Sequence, residues 1–535
     1  LPGDLPTPKL PRPLSTAMSR TLLLTTFLLA AVAGGTPGES GISHEELLGR
    51  LREVTEELAR IQALVHAEGG DGEPPHQGRL QTRRMHASDT ASIADLQGAM
   101  NHMWLLICGA LVMFMQAGFA MLEAGCCRSK NVQNIMMKNL TDVCAGTMCW
   151  WAFGWMFAYG PVEGRTKFAG NTEYFGHDFM AEPYTGTIVS TDKPLNWFFQ
   201  WAFCSAAATI VSGGIAERVN FPCYFLYTLC MTSIIYPVVV AWTWSGNGWL
   251  QGGNDEHINS VGYFDFAGSG IVHMCGGVGA LVGAIVVGPR TGRWDEDRAT
   301  EFDPHSLPLV VLGTFILWFG WYGFNCGSTL GMADTATGQL AASVAMNTTI
   351  SAATGGLTVL GLRLLLLKRY DVGGMCNGIL AGLVSITAPC GNVECGSACC
   401  IGLIGALIYQ GASSLLRKVK IDDPIDAFPV HGAAGAWGTL AAVIFDWGDG
   451  IGVFHGWGGF SCTTDSAGGC LDGARGQAFV ANLVGIIAIA AWTGLLSAVI
   501  LVPLKFVALR ATDEVQELGM DTAKHSPTKA YAHEW

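Results

Sequence analysis

The sequence predicts an all-α membrane protein with eleven transmembrane helices, and three observations lead to that prediction. Half of the 535 residues are hydrophobic, and only 14% are charged. The mean hydropathy is +0.35, which indicates that a bilayer surrounds most of the chain. Apolar segments that are each long enough to cross a bilayer recur along the sequence.

Eleven such segments follow one another from residue 100 onwards, with polar loops between them. They cover residues 100–124, 140–160, 195–216, 221–244, 266–288, 306–326, 340–367, 373–389, 396–416, 428–446 and 477–507. We therefore predict a membrane domain at 96–510 and a cytoplasmic tail at 511–535. An odd number of helices places the two ends of the chain on opposite sides of the membrane.

The first 95 residues divide into two predicted regions. Residues 1–35 contain an apolar run from Leu22 to Ala33 that follows an arginine and ends in small residues, as in a cleaved signal peptide. Residues 36–95 contain an amphipathic helix at 43–67, where apolar residues recur every three or four positions, and then a Gly- and Pro-rich flexible linker. We expect this second region to lie outside the cell.

The distribution of basic residues predicts the orientation of the membrane domain. Lysine and arginine residues are concentrated in every second loop, and the intervening loops contain only Arg165, Lys167, Lys193 and Arg475. The positive-inside rule then places the N-terminus outside, which a signal peptide would also achieve. A multi-pass protein of the plasma membrane is the expected location, with an internal membrane as the alternative.

The fifth and tenth segments resemble each other around a histidine. Val272-His273-Met-Cys-Gly-Gly is similar to Val430-His431-Gly-Ala-Ala-Gly, and each Val-His follows an aspartate, Asp265 or Asp426. Two five-helix halves in opposite orientation, plus one extra helix, form the inverted repeat that many transporters share. The two halves would bring His273 and His431 from opposite faces to the middle of the membrane.

An ionisable side chain inside a membrane helix costs roughly a few kcal/mol, so it marks a functional site by default. A single buried histidine more often bonds a backbone carbonyl. Two histidines in corresponding positions of two halves, each beside glycines that leave space, favour a functional pair instead. The sequence therefore predicts that His273 and His431 line a pore.

Five stretches of the sequence resemble the ammonium transporter (Amt/Mep/Rh) family, and its Amt branch most closely. The resemblance covers residues 95–510, and its most specific stretch is Asp265–Arg290. The others are Gly118–Gly125 with Arg128–Asn131, Gly214–Arg218, Trp321–Ser328 and Asp422–Gly432. Residues 96–510 are accordingly expected to be an ammonium transporter domain.

The resemblance implies a role for each matching residue. Trp244, Phe199 and Ser328 correspond to an outer site that recruits ammonium, and Phe203 and Phe324 to two stacked rings that close the pore. His273 and His431 would share a proton through their ring nitrogens. Asp265 and Asp426 have a structural and electrostatic role without touching the ion, and Trp321 packs against the histidines.

Transport of ammonium, or of ammonia derived from it, is the function that the resemblance implies, with methylammonium as an analogue. Amt-like motifs favour net ammonium transport. An electroneutral ammonia gas channel of the Rh type and an ammonium sensor built on the same fold are the alternatives. The sequence contains no catalytic triad, Walker loop or Rossmann glycine pattern in context, so we do not expect an enzyme.

The resemblance also implies a homotrimer with one pore per subunit, and a cytoplasmic regulator could act on the tail. No cofactor, metal site or nucleic-acid partner is expected. Most of the 17 cysteines fall in apolar segments, which indicates packing residues. Cys390 with Cys395, and Cys462 with Cys470, are predicted to lie outside the cell, where either pair could be oxidised; the spacing does not decide between thiol and disulfide.

Overall fold

The computed structural model describes residues 93–161, 168–177, 179, 192–252, 257–446, 453, 455–456 and 473–531. The predicted signal peptide, the amphipathic helix at 43–67, and Cys462 with Cys470 lie outside the described residues. Cys390 and Cys395 are free thiols, and Cys390 Sγ donates a hydrogen bond to the Thr387 carbonyl at 3.3 Å. This pair is therefore not a disulfide in the structure.

The regular secondary structure of the described residues is helical, and isolated β-bridges join some of the loops. Each predicted apolar segment coincides with helical structure. In chain order the helices are α1 (Ile93–Cys126), α2 (Val132–Cys149, continued to Trp155–Tyr159), α3 (Lys193–Gly214), α4 (Phe221–Thr243), α5 (Ser269–Val287), α6 (Leu307–Gly327), α7 (Thr335–Leu367), α8 (Val372–Thr387), α9 (Cys395–Lys418), α10 (Phe428–Ile444) and α11 (Ala474–Lys505).

Seven of these helices, within the described ranges, are long and apolar enough to cross a membrane. They are α1, α4, α5, α6, α7, α9 and α11. Helices α8 and α10 are apolar but shorter, and α2 and α3 contain more polar side chains. The polar residues of α2 also explain why the predicted segment started too late, at residue 140. Lys138, Asn139 and Asp142 are buried between helices, and these polar residues interrupt the apolar pattern of the sequence in this part of α2.

Small residues let the helices at the centre approach closely. A Cβ atom on Gly313 of α6 would lie 2.5 Å from the Leu122 nitrogen of α1, and one on Gly277 of α5 would collide with the Gly432 backbone of α10. Backbones in membrane helices come this close only where side chains are minimal. The glycines thus fix α5 against α10 just beyond the two histidines.

Helices α5 and α10 begin in the same unusual way. Each starts with a π-helical turn, Ser269–Met274 in α5 and Phe428–Ala433 in α10, and each turn contains a histidine. Five residues before the histidine, the backbone is left-handed, with φ of 113° at Gly268 and 60° at Asp426. Glycine and aspartate are residues that tolerate this conformation. The two helices therefore share the same local backbone pattern around their histidines.

Two short helices follow α11 and contact the loop before α2. They are α12 (Asp513–Leu518) and α13 (Met520–Lys524). The Asp521 carboxylate accepts hydrogen bonds from the backbone nitrogens of Gln133 and Asn134, at 2.9 and 3.0 Å. The Met520 nitrogen donates to Asn131 Oδ1 at 2.9 Å. An acidic side chain at a helix start stabilises the helix, so the tail caps α2.

Candidate functional site

The two histidines meet inside the helical bundle. Their Nδ1 atoms are 3.2 Å apart, and the rings are nearly parallel at 21°, with 5.3 Å between centroids. Both side chains are buried. A neutral imidazole has one N–H donor and one bare acceptor nitrogen, so the two rings must be in opposite tautomers to form this bond. One ring of the pair then has a bare Nε2 that can accept a hydrogen bond, and the other has an Nε2–H that can donate one.

Asp265 holds the start of α5, eight residues before His273. Its carboxylate accepts four backbone N–H groups at 2.7 to 3.1 Å. These groups belong to Gly268, Ser269, Gly270 and Ile271. The first N–H groups of a helix have no partner within the helix, and an anion satisfies them both by hydrogen bonding and by charge. Asp265 therefore fixes the π-helical turn that carries His273.

Trp321 of α6 fixes the plane of the first imidazole. Its ring stacks on that of His273 at 4.9 Å between centroids and 14° between planes. The indole Nε1 donates to Thr387 Oγ1 at 2.9 Å, which orients the tryptophan. Trp321 thus packs against His273.

Asp423, and not Asp426, has the position in α10 that Asp265 has in α5. Asp423 lies eight residues before His431, and its carboxylate accepts two backbone N–H groups at the start of α10, at 2.9 and 2.8 Å. Asp426 instead accepts the hydroxyls of Tyr409 and Ser413, at 2.9 and 2.8 Å. The spacing of eight residues, equal in both halves, is the signal in the sequence that identifies Asp423.

A cavity of about 420 Å³ opens on one side of the histidine pair. Its lining residues include Trp155, Asn196, Phe199, Gln200, Phe203, Trp244 and Ser328. The Trp244 indole donates to the Asp265 carbonyl at 2.9 Å, and the Ser328 hydroxyl donates to the Phe324 carbonyl at 2.9 Å. The serine oxygen keeps lone pairs that can accept from a guest. The structure therefore brings together all three residues of the predicted recruitment site.

Phe203 and Phe324 separate the cavity from the histidines. Their rings are 4.1 Å apart between centroids and inclined at 32°. Phe203 also contacts the Trp244 ring at 5.9 Å, and Phe324 contacts the His273 ring at 5.3 Å. His273 Nε2 is buried and has no hydrogen-bond partner among the described residues. A line of rings thus leads from the cavity to an unpaired imidazole nitrogen.

Phe119 borders the histidine pair on the opposite side, and the sequence-based prediction missed it. Its ring centroid lies 6.0 Å from that of His431. Phe119 follows a glycine in α1, as Phe324 follows a glycine in α6. Phe119 contacts the ring of His431, and Phe324 contacts the ring of His273. That Gly-Phe correspondence is the signal that could have identified Phe119.

An array of apolar helices around a row of rings and two paired imidazoles defines a membrane transport protein. The chain belongs to the ammonium transporter family, because the model described as Ammonium Transporter Family matches residues 103–531. Ammonium transport is the function that this membership assigns to it.

Named relatives and solved structures agree with the family. Ammonium transporter Amt2 of Archaeoglobus fulgidus is 40% identical over 427 residues, which are 79% of this chain and 86% of the relative. Putative ammonium transporter 1 of Caenorhabditis elegans is 36% identical and covers 84% and 83% of the two chains. The solved structure titled Sensor Amt Protein has a TM-score of 0.68 at 32% identity and covers 81% of this chain and 99% of its own. Candida albicans Mep2 has a TM-score of 0.65 at 26% identity, with coverage of 83% and 95%.

Proposed function

We propose that this protein carries ammonium as net charge, by recruiting the ion in the outer cavity, removing a proton, and passing ammonia along the histidine pair. The observation that carries the proposal is the 3.2 Å contact between the Nδ1 atoms of His273 and His431, behind an aromatic cavity. An aqueous channel for ions would have polar walls. Here the route is lined by rings, which suits a small neutral molecule.

Recruitment depends on Trp244, Phe199 and Ser328. A cation over an aromatic face gains about 0.5–2 kcal/mol, and a hydroxyl oxygen accepts one of the four N–H groups of ammonium. Phe203 and Phe324 then form the gate, because their rings lie between the cavity and His273. A charged ion loses its remaining hydration at this gate, which favours release of a proton.

The histidine pair supplies hydrogen bonds to ammonia beyond the gate. One bare Nε2 and one Nε2–H let a molecule that is both donor and acceptor pass from ring to ring. Histidine is the side chain best suited to hold and release a proton near neutral pH. Potassium cannot lose a proton, so the same route rejects it.

The proposed membrane arrangement has eleven spanning helices with the N-terminus outside and residues 511–535 in the cytoplasm. In α11 only 22% of the most apolar stretch is buried within the chain, and in α7 only 28%. Such faces suit lipid or neighbouring subunits. A homotrimer in the plasma membrane, with one pore per subunit, is the assembly we propose.

The test is to measure ammonium-evoked current and methylammonium uptake together, in cells that lack their own ammonium carriers. Net ammonium transport predicts both signals in the wild type. Uptake without current would overturn charge transport in favour of an electroneutral gas channel. Absence of both signals, with the protein at the cell surface, would favour the sensor. The observation that favours this second function is the similarity to the solved structure titled Sensor Amt Protein.

Replacing Trp244 by leucine should weaken recruitment without blocking the pore. Loss of a cation–π contact of about 0.5–2 kcal/mol corresponds to a rise of about twofold to thirtyfold in the ammonium concentration for half-maximal current. Concentration–current curves measure this directly. Trp437→Leu is the control, because Trp437 lies on α10 and donates to the Ile401 carbonyl. An unchanged half-maximal concentration in Trp244→Leu would contradict the assigned recruitment role.

A further inference from the structure

Three ionisable side chains are buried close together on α1 and α2. They are Glu123, Lys138 and Asp142, and each is at most 1% exposed. Two carboxylates and one ammonium group inside a membrane domain cost free energy unless they are bonded or functional. The proposed pore mechanism uses none of them.

Glu123 is only half bonded. Its Oε2 accepts from the Ser212 hydroxyl at 2.8 Å and from Asn139 Nδ2 at 3.5 Å. Its Oε1 is buried and has no hydrogen-bond partner among the described residues. A buried carboxylate oxygen normally has a partner, since an unsatisfied one costs about 1–3 kcal/mol or more. The open Oε1 therefore points to a proton or a guest molecule that it receives.

Asp142 is the contrasting case within the same group. Its two oxygens accept from the Tyr224 hydroxyl at 2.5 Å and the Thr228 hydroxyl at 2.8 Å. This carboxylate is fully bonded and serves to join α2 to α4. In Glu123, by contrast, one carboxylate oxygen has no partner among the described residues, so a purely structural role does not explain why this carboxyl group is buried.

Lys138 is coupled to Glu123 through one residue. Lys138 Nζ donates to the Ser212 carbonyl at 3.3 Å, and the same serine donates its hydroxyl to Glu123. Lys138 Nζ also lies 5.1 Å from the centre of the Tyr224 ring. A positive charge close to a carboxyl group favours the ionised form of that group. Burial of Glu123 opposes this effect by favouring the neutral carboxyl group, so the two influences let Glu123 both accept and release a proton.

Glu123 lies at the inner end of the route described above. It is four residues beyond Phe119, which borders His431, so it lies on the same side of α1, about 6 Å further along the helix axis. A Cβ atom on Gly213 would lie 3.8 Å from Glu123 Cδ and would also meet the Ile425 side chain, six residues before His431. Glu123 is thus enclosed between α1, α3 and the loop that leads into α10.

We propose that Glu123 is the proton-relay residue at the inner end of the pore. The proton that ammonium releases at the gate passes along the histidine pair, leaves the His431 side, and forms an O–H bond on the open Oε1 of Glu123. Ammonia that emerges from the pore then takes this proton. The carboxylate and the ammonium ion are regenerated, and charge and atoms balance. The inference rests on net ammonium transport as the proposed function.

The test compares current with uptake in proteoliposomes that contain the purified full chain. Glu123→Gln keeps the size and the hydrogen bond from Ser212 but cannot hold the proton. We expect the ratio of ammonium-evoked current to methylammonium uptake to fall about tenfold or more, in line with the loss of an acid–base group. Glu123→Asp, which keeps an acid, should restore part of the ratio. Asp142→Asn is the matched control, because it removes a buried carboxylate that is already fully bonded.

The outcomes separate this inference from the proposed function. Wild-type current with an unchanged ratio in Glu123→Gln would overturn the relay and leave net ammonium transport intact. Wild-type uptake without current would overturn charge transport itself, and the relay with it. If Glu123→Gln fails to assemble, Ser212→Ala provides the second test, since it removes the hydroxyl that holds Oε2 and should lower the ratio. An unchanged ratio in Ser212→Ala would then refute the relay.

Discussion

Replacing His273 by alanine should abolish the ammonium-evoked current. The change removes the Nδ1 contact to His431 and the buried, unpaired Nε2. In the proposed mechanism, ammonia then loses its hydrogen-bonded route and the proton loses its acceptor. General acid–base groups contribute about 100-fold to 10,000-fold to a rate, so we expect the remaining current to fall below the detection limit. Current recordings at several ammonium concentrations measure it. The variant with both histidines replaced should lose no more current than His273→Ala alone, because the two rings act as one unit.

The control for this prediction is His102→Ala. His102 lies near the start of α1 with 44% of its side chain exposed, and its Nε2 is 3.3 Å from Asp192. Its loss should leave the current unchanged. Surface labelling of both variants excludes a defect in folding or delivery. A His273→Ala variant that reaches the surface and still carries the wild-type current would show that the imidazole pair is not on the transport route.

The sequence predicted the helices well because each membrane span carries its own signal. A long apolar run needs no partner to be recognised. The start of helix α2 was predicted too late, because Lys138 and Asp142 interrupt its apolar pattern and find their partners in other helices. The limits of an apolar segment therefore indicate where a helix faces lipid, whereas its true start at Val132 depends on packing.

The residues of the candidate site were predictable where family resemblance identified them. They were less predictable where the local backbone geometry determines which side chain reaches the site. Asp426 was chosen because it precedes the second Val-His pair. The structure shows instead that Asp426 has the left-handed backbone position of Gly268, and that Asp423 caps the helix. Sequence alone does not reveal which aspartate reaches the free N–H groups of a π-helical turn.

A cluster of ion pairs at the loop ends was beyond sequence reasoning because its partners are distant in the chain. Glu217 is fully buried and bonds both Arg128 and Arg290, and the Arg290 contact measures 2.5 Å. Arg290 also bonds Asp422 at 2.9 Å. These residues belong to four different loops, so the cluster ties the ends of α1, α3, α5 and α9 together.

Replacing Glu217 by glutamine should destabilise the protein more than any change at an exposed ion pair. It leaves Arg128 and Arg290 buried with their charges less balanced, and breaking a buried pair on one side costs about 3–5 kcal/mol. The exposed pair of Glu301 with Arg298, 2.7 Å apart, is the control. Glu301→Gln should barely change the unfolding temperature, because water and salt screen an exposed ion pair. Thermal unfolding of purified protein in detergent, followed at neutral pH, measures both effects.

The same comparison has a defined dependence on pH. Burial alone would raise the pKa of Glu217, but Arg290 and Arg128 hold it below the usual value of 4.5. A carboxyl group whose pKa is lowered in the folded state adds stability above its unfolded pKa, and this stability is lost as the pH falls through the folded pKa. The difference in unfolding temperature between wild type and Glu217→Gln should therefore be constant near neutral pH and shrink below about pH 4.5. A difference that persists unchanged in acid would mean that the charge of Glu217 contributes nothing to the fold.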